Sequence, residues 1–263
     1  MATDLDRILE AHRADAAADR RRLDALVAEA MSRPPPRGFR AALVDASRAP
    51  DTVAVIAEVK RRSPSKGDLH LGLDPAELAA AYAAGGAACL SVLTDEQFFG
   101  GSAADLAAAR AGCDLPVLRK DFTVAAADVV DARLMGADAV LLIAAALDDA
   151  ELRDFLALAG EVGLDALVEI HDEAELDRAM AVGADLIGVN QRDLVTFEVD
   201  TARAVRMAPL MPSGVVRVAE SGVRGPADAR VLRSAGFHAV LVGESLVTSG
   251  DPQAAVAALR TGG

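Results

Sequence analysis

The chain is short of lysine, cysteine and aromatic side chains, has no long apolar run, and carries too few bases to balance its acids. Each shortage excludes something. Two cysteines, Cys89 within an apolar run and Cys113 in a loop, have neither the density of a disulfide scaffold nor metal-ligand spacing, so both read as reduced and structural. No apolar stretch reaches the roughly 18 residues of a membrane span. The N-terminal residues mix Asp, Glu and Arg without the apolar centre of a signal peptide, so a cytoplasmic protein with no membrane partner is expected. A formal net charge of -13 argues against a nucleic-acid partner, which requires a basic face. An anionic substrate would then need a local cluster of positive charge.

Lysine scarcity points to that cluster. Of 27 basic residues only Lys60, Lys66 and Lys120 are lysines. Composition drifts to arginine wherever a plain positive charge serves. Lysine can donate or lose a proton near neutral pH when its surroundings lower its pKa, whereas arginine stays charged. Two of the three fall in VAVIAEVKRRSPSKG at 53–67, which reads as a buried parallel strand closed by a Pro-Ser-Lys-Gly loop. Glu58 and Lys60 share parity and so point the same way at the strand's carboxyl end. They form either a site or a structural ion pair capping the strand. Lys120 ends a second apolar run, PVLRKDF.

The order of elements gives the architecture. Thr3 can cap a helix beginning at Asp4, and one or two helices with a partly apolar face extend to the prolines at 34–36. The Arg20-Arg21-Arg22 run within them reads as a solvated face. From residue 53, strands at 53–59, 88–93, 116–120, 139–143, 166–169, 186–190, 215–220 and 239–242 alternate with helices at 75–84, 103–111, 125–135, 149–160, 173–182, 201–207, 226–234 and 252–260. Glycines at Gly86, Gly136, Gly183 and Gly236 precede every second strand, an echo of about fifty residues that matches two βα units. Strict alternation predicts an α/β protein with a single (β/α)8 TIM barrel at 51–263 and a helical extension at 1–50 packed on it. The rival is an open doubly wound sheet, and the absence of G-x-G-x-x-G after the first strand weakens its dinucleotide-binding form.

In a barrel, chemistry collects at the carboxyl ends of the strands. Here those ends carry Glu58 and Lys60, Lys120, Glu169, Asn190 followed by Arg192, and Glu220 with Ser221. Lysine and glutamate together can supply a general acid and a general base. The glycine-containing turns ESG at 220–222 and VGES at 242–245 follow the last two strands, where barrels often hold phosphate on backbone N–H groups. A phosphorylated small molecule is the expected ligand.

In this order, EVKRRSPSKG, SVLTDEQFFGGS, PVLRKDF, ADAVLLIAA, DALVEIHDEAEL, LIGVNQRDLVTFEVD, ESGV and VLVGESL closely resemble indole-3-glycerol-phosphate synthase, an enzyme family of tryptophan biosynthesis. The resemblance runs from about residue 53 to the last helix. It implies a (β/α)8 carboxy-lyase without metal or organic cofactor, converting 1-(2-carboxyphenylamino)-1-deoxyribulose 5-phosphate to indole-3-glycerol phosphate, carbon dioxide and water. A monomer is expected, with other tryptophan-pathway enzymes as candidate partners. By the resemblance, Lys120 is the general acid, Lys60 pairs with the anthranilate carboxylate, Glu169 assists dehydration, and Glu58 and Asn190 hold the reacting hydroxyls and the lysines. Ser63, Gly222, Gly243 and Ser245 match phosphate contacts, with Ser221 beside them, and Arg192 matches a substrate-orienting arginine. Phe99, Phe122, Leu141 and Ile143 match the pocket for the aromatic ring, which thus takes two of only seven phenylalanines.

Two departures from the family pattern are Gln191, where Asn is expected, and an alanine-rich helix after the third strand; neither falls on a matched catalytic position. They leave open a paralogue with the same reaction in a specialised indole pathway. Another phosphate-binding barrel, such as phosphoribosylanthranilate isomerase, would share the ESG and VGES turns but not the lysine pattern. Non-catalytic sugar-phosphate binding and a pure scaffold role do not account for the Lys and Glu set.

Overall fold

The computed structural model describes residues 3–193 and 195–261. Leu194 of the GVNQRDLVTF motif and the ends of the two expected regions, 1–2 and 262–263, lie outside the described residues. Eight parallel strands close into a barrel: β1 (Ala54–Val59), β2 (Cys89–Leu93), β3 (Val117–Lys120), β4 (Ala139–Ile143), β5 (Asp165–Ile170), β6 (Leu186–Asn190), β7 (Val216–Glu220) and β8 (Ala239–Val242). β1 closes the ring, pairing Ile56 with Leu241 on one side and Glu58 with Ser91 on the other.

The strands form where the sequence runs Val, Ile, Leu and Ala without a helical stripe, and β1, β2, β4, β6 and β8 are buried along their whole length. Helices between them start at local caps. Asp74 accepts the N–H groups of Ala76 and Glu77 ahead of Pro75, Ser102 caps the helix Ala103–Gly112, and Asp148 with Glu151 forms a capping box. The predicted helix at 201–207 is shorter, Arg203–Met207, and passes into a 3-10 turn holding Pro209, which cannot donate to an α-helical ladder.

Among the described residues two helices precede the prolines, as expected, α1 (Asp4–Ala18) and α2 (Leu23–Met31), and a third that was not expected, α3 (Phe39–Ala46), follows them before the barrel. Asp19 is extended and ends α1, and the prolines bar extension of α2 beyond Ser32. The chain re-enters a helix through Gly38 in the left-handed conformation, which glycine tolerates. The three helices wrap the barrel from one end to the other. α1 lies at the carboxyl end, where Leu5 and Ile8 face the cavity described below. α3 lies at the amino end, where the Arg40 N–H donates to Asp165 at the start of β5, Arg37 N–H donates to Asp138 just before β4, and Phe39 is fully buried.

Phe39 and Leu43 of α3 join the main apolar core as a cover over the barrel floor. Phe39→Ala is expected to lower stability by about 3–5 kcal/mol through lost burial and the cavity left behind. Urea denaturation measures this. A loss below about 1 kcal/mol would mean that α3 is not integral to the core.

Candidate active site

A cavity of about 580 Å³ opens at the carboxyl ends of the strands, and every site residue singled out from the sequence lines it. Four of its charged side chains, Glu58, Lys120, Glu169 and Glu220, come from β1, β3, β5 and β7. Alternate strands fill one layer of such a barrel, so the period-2 pleat aims all four inward. The ion pair of Lys60 Nζ with Glu58 Oε1 at 2.7 Å bears out the shared parity. Ser91 Oγ donates to Glu58 Oε2 at 3.0 Å from the neighbouring strand.

Lys120 Nζ lies 3.5 Å from Glu169 Oε2 and 3.9 Å from Glu220 Oε2. Asn190 Nδ2 donates to Glu169 Oε1 at 3.1 Å, and Asn190 Oδ1 accepts the Arg192 N–H at 3.0 Å. Gly188 makes room for this arrangement, because a Cβ there would stand 2.0 Å from Glu220 Oε1. Gly243 does the same for Glu58, whose Oε1 would be 2.5 Å from an added Cβ.

The carboxylates do not titrate alike. Burial would push Glu58 up, but Lys60, Lys120 and the Ser91 hydroxyl outweigh it and hold the group below its ordinary range. Burial also opposes charge on Glu169, and Lys120, His171 and Asn190 overcome it. Glu220 goes the other way. It is 2% exposed, neither oxygen has a hydrogen-bond partner, and burial with the adjacent Glu169 charge keeps it protonated well above the carboxylate range. At the strand tips the charges then balance: Lys60 and Lys120 face the carboxylates of Glu58 and Glu169, and Glu220 is a neutral acid.

For Lys120 the electrostatics differ from the expectation that its surroundings would lower its pKa. Burial acts in that direction, but Glu169, Glu220 and Glu58 win and hold the ammonium above the ordinary lysine range. Without ligand the group is a stored proton.

The opposite side of the cavity carries the glycine turns. Ser221 and Gly222 both adopt positive φ, 65° and 73°, the first a strained conformation for a side chain. Gln191 is 1% exposed, and its Nε2 donates to Ser221 O at 2.8 Å, bracing that turn. The departure from Asn therefore touches a matched binding residue through its backbone. Ser245 Oγ donates to Val223 O at 3.2 Å, and VGES leads into a short helix, Glu244–Val247, rather than a plain turn. The SPSKG loop is a small hairpin pairing Arg62–Ser63 with Gly67–Asp68, and Lys66 pairs with Glu244 across the mouth at 3.3 Å. Phe99 and Phe122 meet with ring centroids 6.2 Å apart, and Leu141 and Ile143 extend the apolar wall.

The family model for indole-3-glycerol phosphate synthase matches residues 5–259. The chain belongs to the indole-3-glycerol phosphate synthase family. Among curated relatives, indole-3-glycerol phosphate synthase of Mycolicibacterium smegmatis is 53% identical over 264 residues, covering 100% of this chain and 95% of the relative. The protein of the same name from a Nocardioides species is 57% identical over 227 residues, 83% of this chain and 87% of that one. Solved structures extend the likeness in fold alone. Thiamine phosphate pyrophosphorylase from Pyrococcus furiosus superposes with a TM-score of 0.59 at 16% identity, covering 80% of this chain and 94% of that one. The N-acetylmannosamine-6-phosphate 2-epimerase from Clostridium perfringens gives 0.58 at 14% identity, covering 73% and 86%.

Residues not singled out as site residues from the sequence also line this cavity or support its side chains. Glu220 was legible as a strand end, but its unpaired burial was not. Ser91 and Gly188 carry no local signal: strand register brings Ser91 to Glu58, and Gly188 meets the Glu220 side chain reaching over from the next strand. His171 was readable in VEIH, one residue beyond the alternation that marks Glu169.

Removing the ammonium should expose the balance. Glu58 and Glu169 have lowered folded pKa values, so their stabilisation is present above the ordinary glutamate value of about 4.3 and is lost as pH falls through the folded values. Lys120→Met strips the main compensation of Glu169 and part of that of Glu58, which keeps Lys60, and is expected to cost on the order of 3 kcal/mol near pH 7. Near pH 5 the deficit should shrink, because the uncompensated carboxylates then take up protons. Urea unfolding at both pH values reads this, and equal deficits would contradict the charge balance.

Proposed function

We propose that the chain is an indole-3-glycerol-phosphate synthase acting on 1-(2-carboxyphenylamino)-1-deoxyribulose 5-phosphate in tryptophan biosynthesis. Its chief support is one observation: an ammonium enclosed by carboxylates sits between a phenylalanine-walled end of the cavity and glycine turns suited to phosphate. Family membership over nearly the whole chain supports the same reading.

In this reading the phosphate rests on the backbone at Gly222 and Gly243 with the hydroxyls of Ser63, Ser221 and Ser245, at a short helix start that favours anions. The ring lies among Phe99, Phe122, Leu141 and Ile143, with its carboxylate toward Lys60 and Arg192 orienting the chain. Anchoring both ends holds the ring carbon against the carbonyl, which converts a floppy chain into a near-attack arrangement. Lys120 protonates the carbonyl oxygen as the ring carbon bonds to the carbonyl carbon. The C–C bond to the carboxylate then breaks, its electron pair restores the aromatic ring, and carbon dioxide departs. A second proton goes to the hydroxyl, which leaves as water while Glu169 takes a proton from the neighbouring carbon. Glu58 and Asn190 hold the lysines and hydroxyls in register, and the enclosed charges stabilise the cation of the first step without reorganisation.

We place this chemistry in residues 51–263, with 1–50 as an extension that completes the wall, and take the working form to be a cytoplasmic monomer. No described helix is long and apolar enough to cross a membrane.

Mixing the protein with the carboxyphenylamino-deoxyribulose phosphate should give the fluorescence of the indole product. Absence of that signal under turnover conditions would sink the proposal. Lys120→Arg retains charge but is a poor acid, so its kcat should fall by about 10²–10⁴. Near-normal turnover would remove Lys120 from the acid role.

A further inference from the structure

Each turnover of the proposed reaction gives the substrate two protons, one at the carbonyl oxygen and one on the departing hydroxyl, and recovers one from carbon. Carbon dioxide leaves with no proton. One proton per cycle must therefore come from solvent, and a seated substrate stands between Lys120 and the cavity mouth.

Behind Glu169 and outside the cavity lining is His171. Its Nε2 lies 3.5 Å from Glu169 Oε1, buried and without a hydrogen-bond partner. Its Nδ1 lies 3.1 Å from Glu175 Oε2 on the helix Glu173–Ala181, and the same oxygen accepts the His171 N–H at 2.7 Å. Side-chain exposure rises from 1% at Glu169 through 12% at His171 to 15% at Glu175, so the row leads from the reacting layer to solvent.

We propose that His171 is a positioning residue that relays this solvent proton from Glu175 to Glu169 and so recharges Lys120. The relay rests on the reaction proposed above. Glu175 takes a proton from water and gives it to Nδ1, while Nε2–H passes its proton to Glu169 Oε1. Glu169, now protonated at Oε1, turns its carboxyl group so that this O–H faces Lys120 Nζ, which lies 3.5 Å from the other oxygen, and hands the proton to the lysine left as an amine. Nothing is oxidised or reduced. The imidazole ends with its N–H at Nδ1 and resets when rotation of the side chain brings Nε2 to water, Nε2 taking up a proton as Nδ1 returns one to Glu175.

The surroundings suit a histidine that keeps gaining protons. Burial disfavours the imidazolium, but Glu175 and Glu169 outweigh it, and the opposing Arg203 charge is the weakest of these influences. Arg203 is turned to Asn190 O at 2.9 Å, which ties its charge to the strand end. The His12, Asp95 and Asp121 cluster offers three converging ligand atoms, but its short His12–Asp95 contact of 2.9 Å already satisfies the pair with one proton.

The test compares wild type, His171→Asn and Glu175→Gln on the carboxyphenylamino-deoxyribulose phosphate, across about pH 6–9 and with and without added imidazole. His171→Asn should lower kcat about tenfold with KM within about twofold, lose most on the alkaline side, and recover in part with imidazole. Glu175→Gln, partly exposed and so a milder change to the fold, should lower kcat about threefold with the same alkaline bias. The relay is overturned if both variants keep kcat within about twofold, or if a loss is flat with pH and unmoved by imidazole, since that marks structural damage alone. A wild type that makes no indole product would instead overturn the proposed reaction.

Discussion

The Lys120 ammonium among three buried glutamates, one of them protonated, is the constraint on which the site depends. Lys120 lies within 4 Å of both Glu169 and Glu220, and its field also reaches Glu58. Stripping water from such groups costs several kcal/mol per ion, so the arrangement survives only because the barrel holds it and the charges sum to little. Glu220 supplies the last part of that balance by keeping its proton. The same low-dielectric layer that makes the arrangement costly makes each charge effective on a reacting molecule.

The barrel separates this cost from the stability that offsets it. Away from the reacting layer, the interior and the strand-helix interfaces are packed with Val, Leu, Ile and Ala at almost no exposure, and α3 covers the floor with Phe39 and Leu43. At the carboxyl rim, polar groups replace the apolar ones, and α1 adds Leu5 and Ile8 to the cavity wall. His12 of α1 ties this helix to the loop after β2 through Asp95, whose other oxygen accepts the N–H groups of Phe98 and Phe99. The N-terminal helices therefore contribute to both faces: burial below, and shaping of the phenylalanine-lined side of the cavity above.

Much of this was legible in residue order. Apolar runs ending in Glu58, Lys120, Glu169 and Asn190 mark strand tips, because a charged group is tolerated on a core strand only where it leaves the packed layer. The rarity of lysine singled out Lys60, Lys66 and Lys120, all of which line the cavity. What escaped were features with no local signature. Helix α3 is short and follows three prolines, so no local pattern separates its eight residues, and its burial against the barrel floor is what reveals it. Gly188 resembles any strand glycine, and its reason lies across the sheet in Glu220. Gln191 reads as a drift from asparagine, yet its longer side chain braces the left-handed Ser221.

The order of residues alone determined the strand–helix alternation, the inward parity of Glu58 and Lys60 and the family, because those depend on period and local motif. Only tertiary structure decided which charges compensate which, why Glu220 stays neutral while Glu169 does not, and how His171 stands between Glu169 and solvent. These depend on distances across strands far apart in sequence and on water excluded by the closed barrel, and neither is encoded in any short stretch of chain.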